Sequence, residues 1–520
     1  MVRAHYVWLA FIAVGLLLHE YAYKDFLVDD AFISFRYAEN LVAGYGLTFN
    51  RVGEPVEGYT NFLWTLLLAG VLYFKLDPIL TAKVLGSLLS LFNLGLTYGI
   101  SRKALAPAIS SPWTLLPLLF LAVSGSFAAW AMGGLETHLV TLLNLLALEL
   151  YLQELGSERA GFPFSAIFFT LAALTRPDAI LFWGAALVMG LSQGADRKKR
   201  GGGTEARKIR RTGLVSPPLS LWAWALIPLI GFGAFWVWRW NYYGDPLPNT
   251  YYMKTGGGGF QILAGVFYVL NYLLSQGGLF PFLLFYFFRW KYDTYLHRLL
   301  LAQVGFYLVF IIASGGDWMP LHRFMVPLLP LLAILIAAAL KGLHEKLTLF
   351  LKKMDSRFRP STLPLLTGFL LVFPLFETLS EHPIVMEESR GVWSFVEFGK
   401  WLANRVPASS LLAVNPVGAI SYYSHLDALD MTGLTDSHIA HLRMGGLHQK
   451  YDSAYILSHR PDFIVLIGRY DPETQGYRAT WAGEEDLFHK PEFQSRYRPT
   501  GQPVFKYKKD YQILLFQRRS

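Results

Sequence analysis

Apolar runs long enough to cross a bilayer recur along this chain as far as residue 378, and they constrain its fold more than any other feature. A spanning helix needs about 17–25 mostly apolar residues. The first candidate runs from Tyr6 to Leu18, and others fall at about 80–100, 114–131, 136–153, 163–175, 178–193, 218–239, 277–290, 298–314, 323–340 and 362–378. Charged residues make up only 16% of the 520, against about 25% in soluble domains. Phe, Tyr and Trp make up another 16%, which suits helices anchored by rings at membrane interfaces. There is no cysteine, so disulfides, thiolate catalysis and Cys-based metal sites are excluded. A disordered, nucleic-acid-binding or small secreted protein is excluded as well. The expected class is a polytopic α-helical membrane protein.

No small-x-small cleavage site follows the first apolar run, so it reads as an uncleaved anchor with a cytoplasmic N-terminus. Basic clusters then set the sidedness. The connector 194–217 holds eight Lys/Arg and 341–361 holds six, with smaller groups at 101–103 and 289–298. These fall on one side only if the two shorter apolar stretches, 61–75 and 260–274, lie on the membrane as juxtamembrane helices. About eleven spans result, with an extracytoplasmic C-terminus. Residues 1–379 form the expected membrane domain, and its first outer loop, 23–78, is rich in polar groups. Beyond residue 380, short β-like runs (Leu411 to Val414, Phe463 to Gly468, Ile513 to Phe516) alternate with helical stretches such as Val417 to Tyr423. That alternation predicts a small extracytoplasmic α/β domain over 380–520.

The unusual polar residues gather on the outer face. In Asp29-Asp30-Ala31-Phe32-Ile33-Ser34-Phe35-Arg36-Tyr37, helical spacing of Ala31, Phe35, Ala38 and Val42 predicts an amphipathic helix on the bilayer surface. The plain role of Asp29 and Asp30 is to cap that helix. The chemical one is a catalytic carboxylate, with the neighbouring acid raising its pKa by repulsion. Glu57, Tyr59, Thr60 and Asn61 precede the next helix, which Thr60 or Asn61 would cap, while Glu57 can face a polar substrate. Arg176 interrupts two apolar half-spans, followed by Pro177. Intramembrane charges are functional candidates, with a structural Arg176–Asp178 pair as the alternative. Glu136 opens a span, Asn249 and Lys254 belong to a second outer segment, and Asp317, Trp318, His322 and Arg323 to a third. Arg176, Lys254, His322 and Arg323 can together form a phosphate site, although each alone fits an interface residue that snorkels. His438, His441 and His448 with Asp436 have loose metal-ligand spacing. No Walker loop, His-Glu-x-x-His or Gly-x-Ser-x-Gly is present.

The first-loop motif, followed by Glu57-Gly58-Tyr59-Thr60-Asn61-Phe62-Leu63-Trp64, resembles membrane glycosyltransferases of the GT-C superfamily. The likeness is greatest to terminal β-(1→2)-arabinofuranosyltransferases that finish mycobacterial arabinan. Gly134-Leu135-Glu136-Thr137, Leu174-Thr175-Arg176-Pro177, Leu247-Pro248-Asn249-Thr250, Gly315-Gly316-Asp317-Trp318, Gly418-Ala419-Ile420-Ser421-Tyr422-Tyr423 and Leu429-Asp430-Met431-Thr432-Gly433-Leu434-Thr435-Asp436 are similar too. The resemblance implies a polyprenyl-phosphate sugar donor, an extracytoplasmic glycan acceptor and an outer active site in the plasma membrane. It makes Asp29 the catalytic carboxylate and Asp30 its neighbour or substitute. Donor phosphate would meet Arg176, Arg323, His322 and Lys254. Sugar or acceptor would meet Arg36, Glu57, Tyr59, Glu136, Asn249, Asp317 and Trp318. No cofactor is implied; a divalent cation is permitted but not required.

Three other readings stand beside D-arabinofuranose transfer. One moves mannose or another hexose to a glycan or to a surface protein such as a pilin. Another is a lipid-linked sugar flippase or other transporter, for which polar residues in both membrane halves and internal symmetry are expected. The last is a non-catalytic glycan-binding scaffold, which would tolerate loss of both first-loop acids.

Overall fold

A computed structural model describes residues 2–105, 111–156, 162–199, 220–277, 294–354, 363–445, 449–471, 476–501, 503–508 and 511–519. As far as residue 403 the described elements are helical: α1 (Val2–Ala22), α2 (Asp29–Val42), α3 (Phe62–Tyr73), α4 (Pro78–Leu105), α5 (Leu116–Val123), α6 (Gly125–Met132), α7 (Thr137–Gly156), α8 (Phe164–Thr175), α9 (Ile180–Lys199), α10 (Ser220–Tyr243), α11 (Asn249–Lys254), α12 (Gly258–Ser275), α13 (Tyr295–Ser314), α14 (Leu329–Met354) and α15 (Leu363–Ala403). Among the described residues six helical runs are long and apolar enough to cross a membrane: α1, α4, α10, α12, α13 and Arg323–Lys353, which takes in all of α14 but its last residue. The pair α5–α6, bent by 56°, makes a seventh if counted as one span, and α3, α8 and Pro177–Ser192 are shorter apolar helices. The expected span at 277–290 lies almost wholly outside the described residues.

Side-chain exposure sorts these helices. α14 is the central one, with 89% of its most apolar window buried. α1 instead exposes Tyr6, Trp8, Phe11 and Leu18, a surface suited to lipid rather than water. The segment read as a surface helix over 260–274 is part of α12, whose 18 residues reach spanning length because the helix starts within the Gly256–Gly259 run. At the other end α15 is a single 41-residue helix. It continues through residue 379, with Pro374 and Pro383 inside it, so a continuous helix joins the membrane part to the C-terminal part.

Among the described residues the C-terminal part is built on seven strands, β1 (Leu411–Val414), β2 (Asp427–Asp430), β3 (Phe463–Asp471), β4 (Gly476–Ala479), β5 (Tyr497–Pro499), β6 (Phe505–Lys508) and β7 (Tyr511–Arg518), in one sheet of order β2-β1-β3-β7-β5 with β4 on β3 and β6 on β7. β1, α16 (Val417–Ser424) and β2 form a parallel crossover. β3 pairs parallel with β1 and antiparallel with β7. Of the strand–helix alternation expected over 380–520, residues 411–430 show it as a parallel crossover, while the runs at 463–468 and 513–516 fall in the antiparallel pair β3–β7.

α2 corrects one expectation. It is helical as expected, but it is not a half-exposed helix on a bilayer surface, since Ala31, Phe32, Phe35, Tyr37 and Ala38 are all buried. The reason is a partner far away in sequence. α16 packs on α2, bringing Tyr422 and Tyr423 to 5.8 and 5.7 Å from the Phe32 ring. Burying rings of this size contributes roughly 1.5–3 kcal/mol each, so the first loop is clamped between the helical bundle and the C-terminal sheet.

Candidate active site

A cavity of about 780 Å³ opens where α2, the Gly58–Asn61 turn, the Arg176 break, α11 and the loop after α13 converge. Ligand sites commonly occupy about 300–1,000 Å³. Leu434 and Gln449 of the C-terminal part complete one wall. Three cations (Arg176, Lys254, Arg323) and four carboxylates (Asp30, Glu136, Asp178, Asp317) line it. Its remaining wall includes the apolar side chains Phe260, Ala264, Phe310, Ala313 and Phe324. The cavity is thus charged in one region and apolar in another.

The two first-loop acids part company. Neither caps its own helix by side chain: Val28 is the N-cap of α2, without a side-chain hydrogen bond. Asp29 instead accepts hydrogen bonds from the backbone N–H groups of Gly418 at 3.0 Å and Ala419 at 2.8 Å. These are unsatisfied donors at the start of α16, where a carboxylate is favoured. Burial nevertheless raises the Asp29 pKa from 3.8 to about 6, opposed by those two hydrogen bonds. Asp30 points into the cavity. Among the described residues it has neither hydrogen bond nor ion pair, and burial raises its pKa while the charges of Lys254 and Arg323 lower it.

Arg176 and Arg323 are both held by carboxylates. α8 ends at Thr175, Arg176 is extended, and Pro177 starts a short 3-10 turn. Arg176 Nε donates to Asp178 at 3.1 and 3.2 Å, and Nη1 donates to Glu136 at 3.0 Å. The structural pair with Asp178 and a place on the cavity wall therefore coexist. Arg323 Nε donates to Asp317 at 2.7 Å. Lys254, at the end of α11, has no hydrogen bond or ion pair among the described residues. Burial lowers its pKa, with Asp30 the main opposing charge. An ammonium and a carboxylate without hydrogen bond or ion pair among the described residues thus line the same cavity.

Tyr59, Glu136, Asp317 and Trp318 also line the cavity; Arg36, Glu57, Asn249 and His322 stand outside its lining. Arg36 donates to the carbonyls of Phe49 at 2.7 Å, Leu426 at 2.6 Å and Ser421, and so ties α2 to the C-terminal part. Glu57 forms a buried ion pair with Arg239. Asn249 donates to the carbonyls of Gly433, Leu434 and Asp436, while His322 stands 3.3 Å from Glu377. No group of three possible metal ligands occurs among the described residues. Asp436 caps the helix at Ser437, His438 pairs with Asp452 at 3.0 Å, and His441 packs on Tyr252 at 4.1 Å. His448 lies outside the described residues.

Sequence reasoning passes over Arg239, Tyr307 and Glu377. Arg239, set between Trp238 and Trp240 in apolar α10, carries the same intramembrane-charge signal as Arg176. Tyr307, whose hydroxyl donates to Asp178 at 2.5 Å, has the sequence surroundings of any interface ring. Asn61, expected only as a cap, exchanges hydrogen bonds with Ser34 and donates to Glu136 at 2.9 Å.

The contact between Asp29 and α16 requires a glycine. A Cβ at Gly418 would fall on the Asp29 carbonyl oxygen and 2.8 Å from its Cγ. Gly418→Ala should therefore loosen the packing of α16 on α2. The expected result is faster limited proteolysis between residues 404 and 416 than in wild type; an unchanged cleavage rate would show that the contact tolerates a methyl group.

Comparison with known proteins bears on the fold. A family model described as a domain of unknown function (DUF8728) matches residues 384–515. The chain is 30% identical over 291 residues to the terminal β-(1→2)-arabinofuranosyltransferase of Mycobacterium tuberculosis, a match covering 52% of this chain and 42% of that protein. It thus spans less than half the length of that relative. Among solved structures, ArnT from Cupriavidus metallidurans bound to undecaprenyl phosphate superimposes with a TM-score of 0.59 at 12% identity, covering 97% of each chain. The oligosaccharyltransferase of Archaeoglobus fulgidus does so with a TM-score of 0.51 at 11% identity, over 95% of this chain and 79% of that one. The architecture is the GT-C fold. Within it, the chain resembles the mycobacterial terminal arabinofuranosyltransferases in sequence.

Proposed function

We propose that this protein is a glycosyltransferase that moves a sugar from a polyprenyl-phosphate carrier to a glycan hydroxyl, with Asp30 as general base. The observation that carries the reading is that Asp30 and Lys254, neither of them hydrogen-bonded or ion-paired among the described residues, line one cavity with Arg176 and Arg323. Attack by an acceptor hydroxyl on the anomeric carbon needs a carboxylate to take its proton. As the carbon–phosphate bond breaks, charge grows on the departing lipid phosphate, and the preorganised cations stabilise it. The apolar region beside Phe260 and Phe310 suits the first isoprene units of the carrier. Asp29 supports this arrangement from behind, by fixing the start of α2 against α16.

D-arabinofuranose is the favoured sugar, on the sequence likeness to the terminal arabinofuranosyltransferase and the first-loop motif. The favoured setting is the plasma membrane, with the cavity on the extracytoplasmic side, on the basic clusters at 101–103 and 194–217 that precede α12, and with the C-terminal domain on the same side because it packs on α2. The test uses purified protein in nanodiscs with polyprenyl-phosphoryl arabinofuranose and a synthetic arabinan acceptor, scored by mass spectrometry. Addition of one pentose is expected. Transfer from a hexosyl donor alone would overturn the sugar, and no transfer from any polyprenyl-phosphate sugar would overturn the function.

Lys254→Met should raise the KM for the donor about tenfold or more, because a single charge-assisted contact to phosphate contributes roughly 1.5–3 kcal/mol. The KM for the acceptor should stay within about twofold of wild type. Equal rises in both would remove Lys254 from the phosphate site.

A further inference from the structure

Glu377 lies on α15 and is buried at 3% exposure. Its carboxylate accepts hydrogen bonds from Ser275 Oγ at 3.0 Å and from Gln276 Nε2, both at the end of α12. On its other side stands His322 Nδ1, 3.3 Å away. The His322 ring is held edge-on by Tyr268 and Tyr272, with centroids 5.2 and 5.4 Å distant. A carboxylate with three polar neighbours from two elements does more than fill space, because a buried charge needs such partners to be tolerated.

The backbone at this point is strained. Leu321 and His322 have φ values of 53° and 45°, a left-handed region that non-glycine residues hold only when their surroundings enforce it. Two such residues in succession turn the chain sharply, and the next residue is Arg323, on the cavity wall. Its guanidinium meets Asp317 and lies 5.5 Å from the Trp130 ring. The direction in which Arg323 leaves the backbone therefore depends on a turn whose imidazole, that of His322, is packed against Glu377 and between two tyrosine rings, although its Nδ1 makes no hydrogen bond among the described residues.

We infer that Glu377 and His322 are positioning residues for Arg323: their pairing holds the Leu321–His322 turn so that Arg323 presents its guanidinium to the phosphate of the donor. The inference rests on the reading of the cavity as a donor phosphate site.

Undecaprenyl phosphate binding to the full-length protein in nanodiscs tests it, using wild type, Arg323→Ala, Glu377→Gln, His322→Asn and the Arg323→Ala/Glu377→Gln double variant. Asn is chosen at 322 because it tolerates the left-handed region, so this variant removes the ring while sparing the turn; it also serves if Glu377→Gln fails to fold. Arg323→Ala should weaken binding about tenfold and lower the thermal midpoint, because it leaves Asp317 unpaired, and each positioning variant should weaken binding severalfold with a thermal midpoint near wild type. The double variant should bind no more weakly than Arg323→Ala alone, which a general loss of structure would not produce. Unchanged affinity in Arg323→Ala overturns the phosphate-site reading itself. Weakened binding in Arg323→Ala, combined with unchanged or fully additive effects at 377 and 322, overturns only the positioning role.

Discussion

Asp30→Asn is expected to lower the rate of transfer about 10²- to 10⁴-fold, the usual range for loss of a general base, while polyprenyl-phosphate binding and thermal stability stay near wild type. Asn is isosteric, and no hydrogen bond or ion pair of Asp30 is lost among the described residues. Asp29→Asn should behave differently. It keeps a carbonyl oxygen to accept from Gly418 or Ala419 and removes a charge that burial disfavours. The sign follows from the raised pKa: Asp29 supports folding fully below its ordinary 3.8, and this contribution fades as pH rises through about 6. At neutral pH the Asn variant should thus be no less stable than wild type and retain most of its activity. For Asp30 the consequence is kinetic. The base must be ionised, so the rate should fall as pH drops through a pKa above the ordinary carboxylate value. Parallel pH–rate profiles of the wild type and the two variants check both statements, and loss of activity in Asp29→Asn with retention in Asp30→Asn would reverse the roles.

Arg176→Ala should be the most destabilising single change at the site. Arg176 is 8% exposed and Glu136 is 3% exposed, and Arg176 bridges Glu136 and Asp178 by three hydrogen bonds. Removing one partner of a buried ionic cluster leaves uncompensated charge, at a cost of about 3–5 kcal/mol. Lys at this position should restore little, because the fork that spans two carboxylates cannot be copied by a point charge. Adding Glu136→Gln and Asp178→Asn to Arg176→Ala should recover much of the thermal midpoint in detergent but none of the transfer. A single Arg176→Ala variant as stable as wild type would show that water or lipid phosphate already screens these carboxylates.

Much of this arrangement is legible in the amino-acid sequence. Apolar runs locate the helices, the Thr175-Arg176-Pro177 break marks a polar point within them, and the first loop announces its acids. Long-range pairing is not legible. Nothing near Asp29 in sequence says that its carboxylate meets Gly418, 389 residues away, and only that contact separates the capping acid from the cavity acid. α2 carries the pattern of a surface helix because the pattern shows which residues bury, not what buries the opposite face. The same gap hides the partners of Glu57 and His322, since Arg239 and Glu377 lie in other helices. Where a motif is local, as in Gly315-Gly316-Asp317-Trp318, the reading carries further. Gly315 ends α13 in the left-handed region and Gly316 passes close to Tyr268, setting Asp317 on the cavity wall.

The most direct measurement is an experimental structure of the wild-type protein in nanodiscs with a polyprenyl-phosphoryl sugar, using Asp30→Asn to prevent turnover in a second sample. Phosphate within hydrogen-bond reach of Lys254 and Arg323, with the anomeric carbon on the Asp30 side and the isoprene chain toward Phe260 and Phe310, is the expected result. A phosphate bound elsewhere, with the Asp30–Lys254 cavity holding only water, would contradict the assignment.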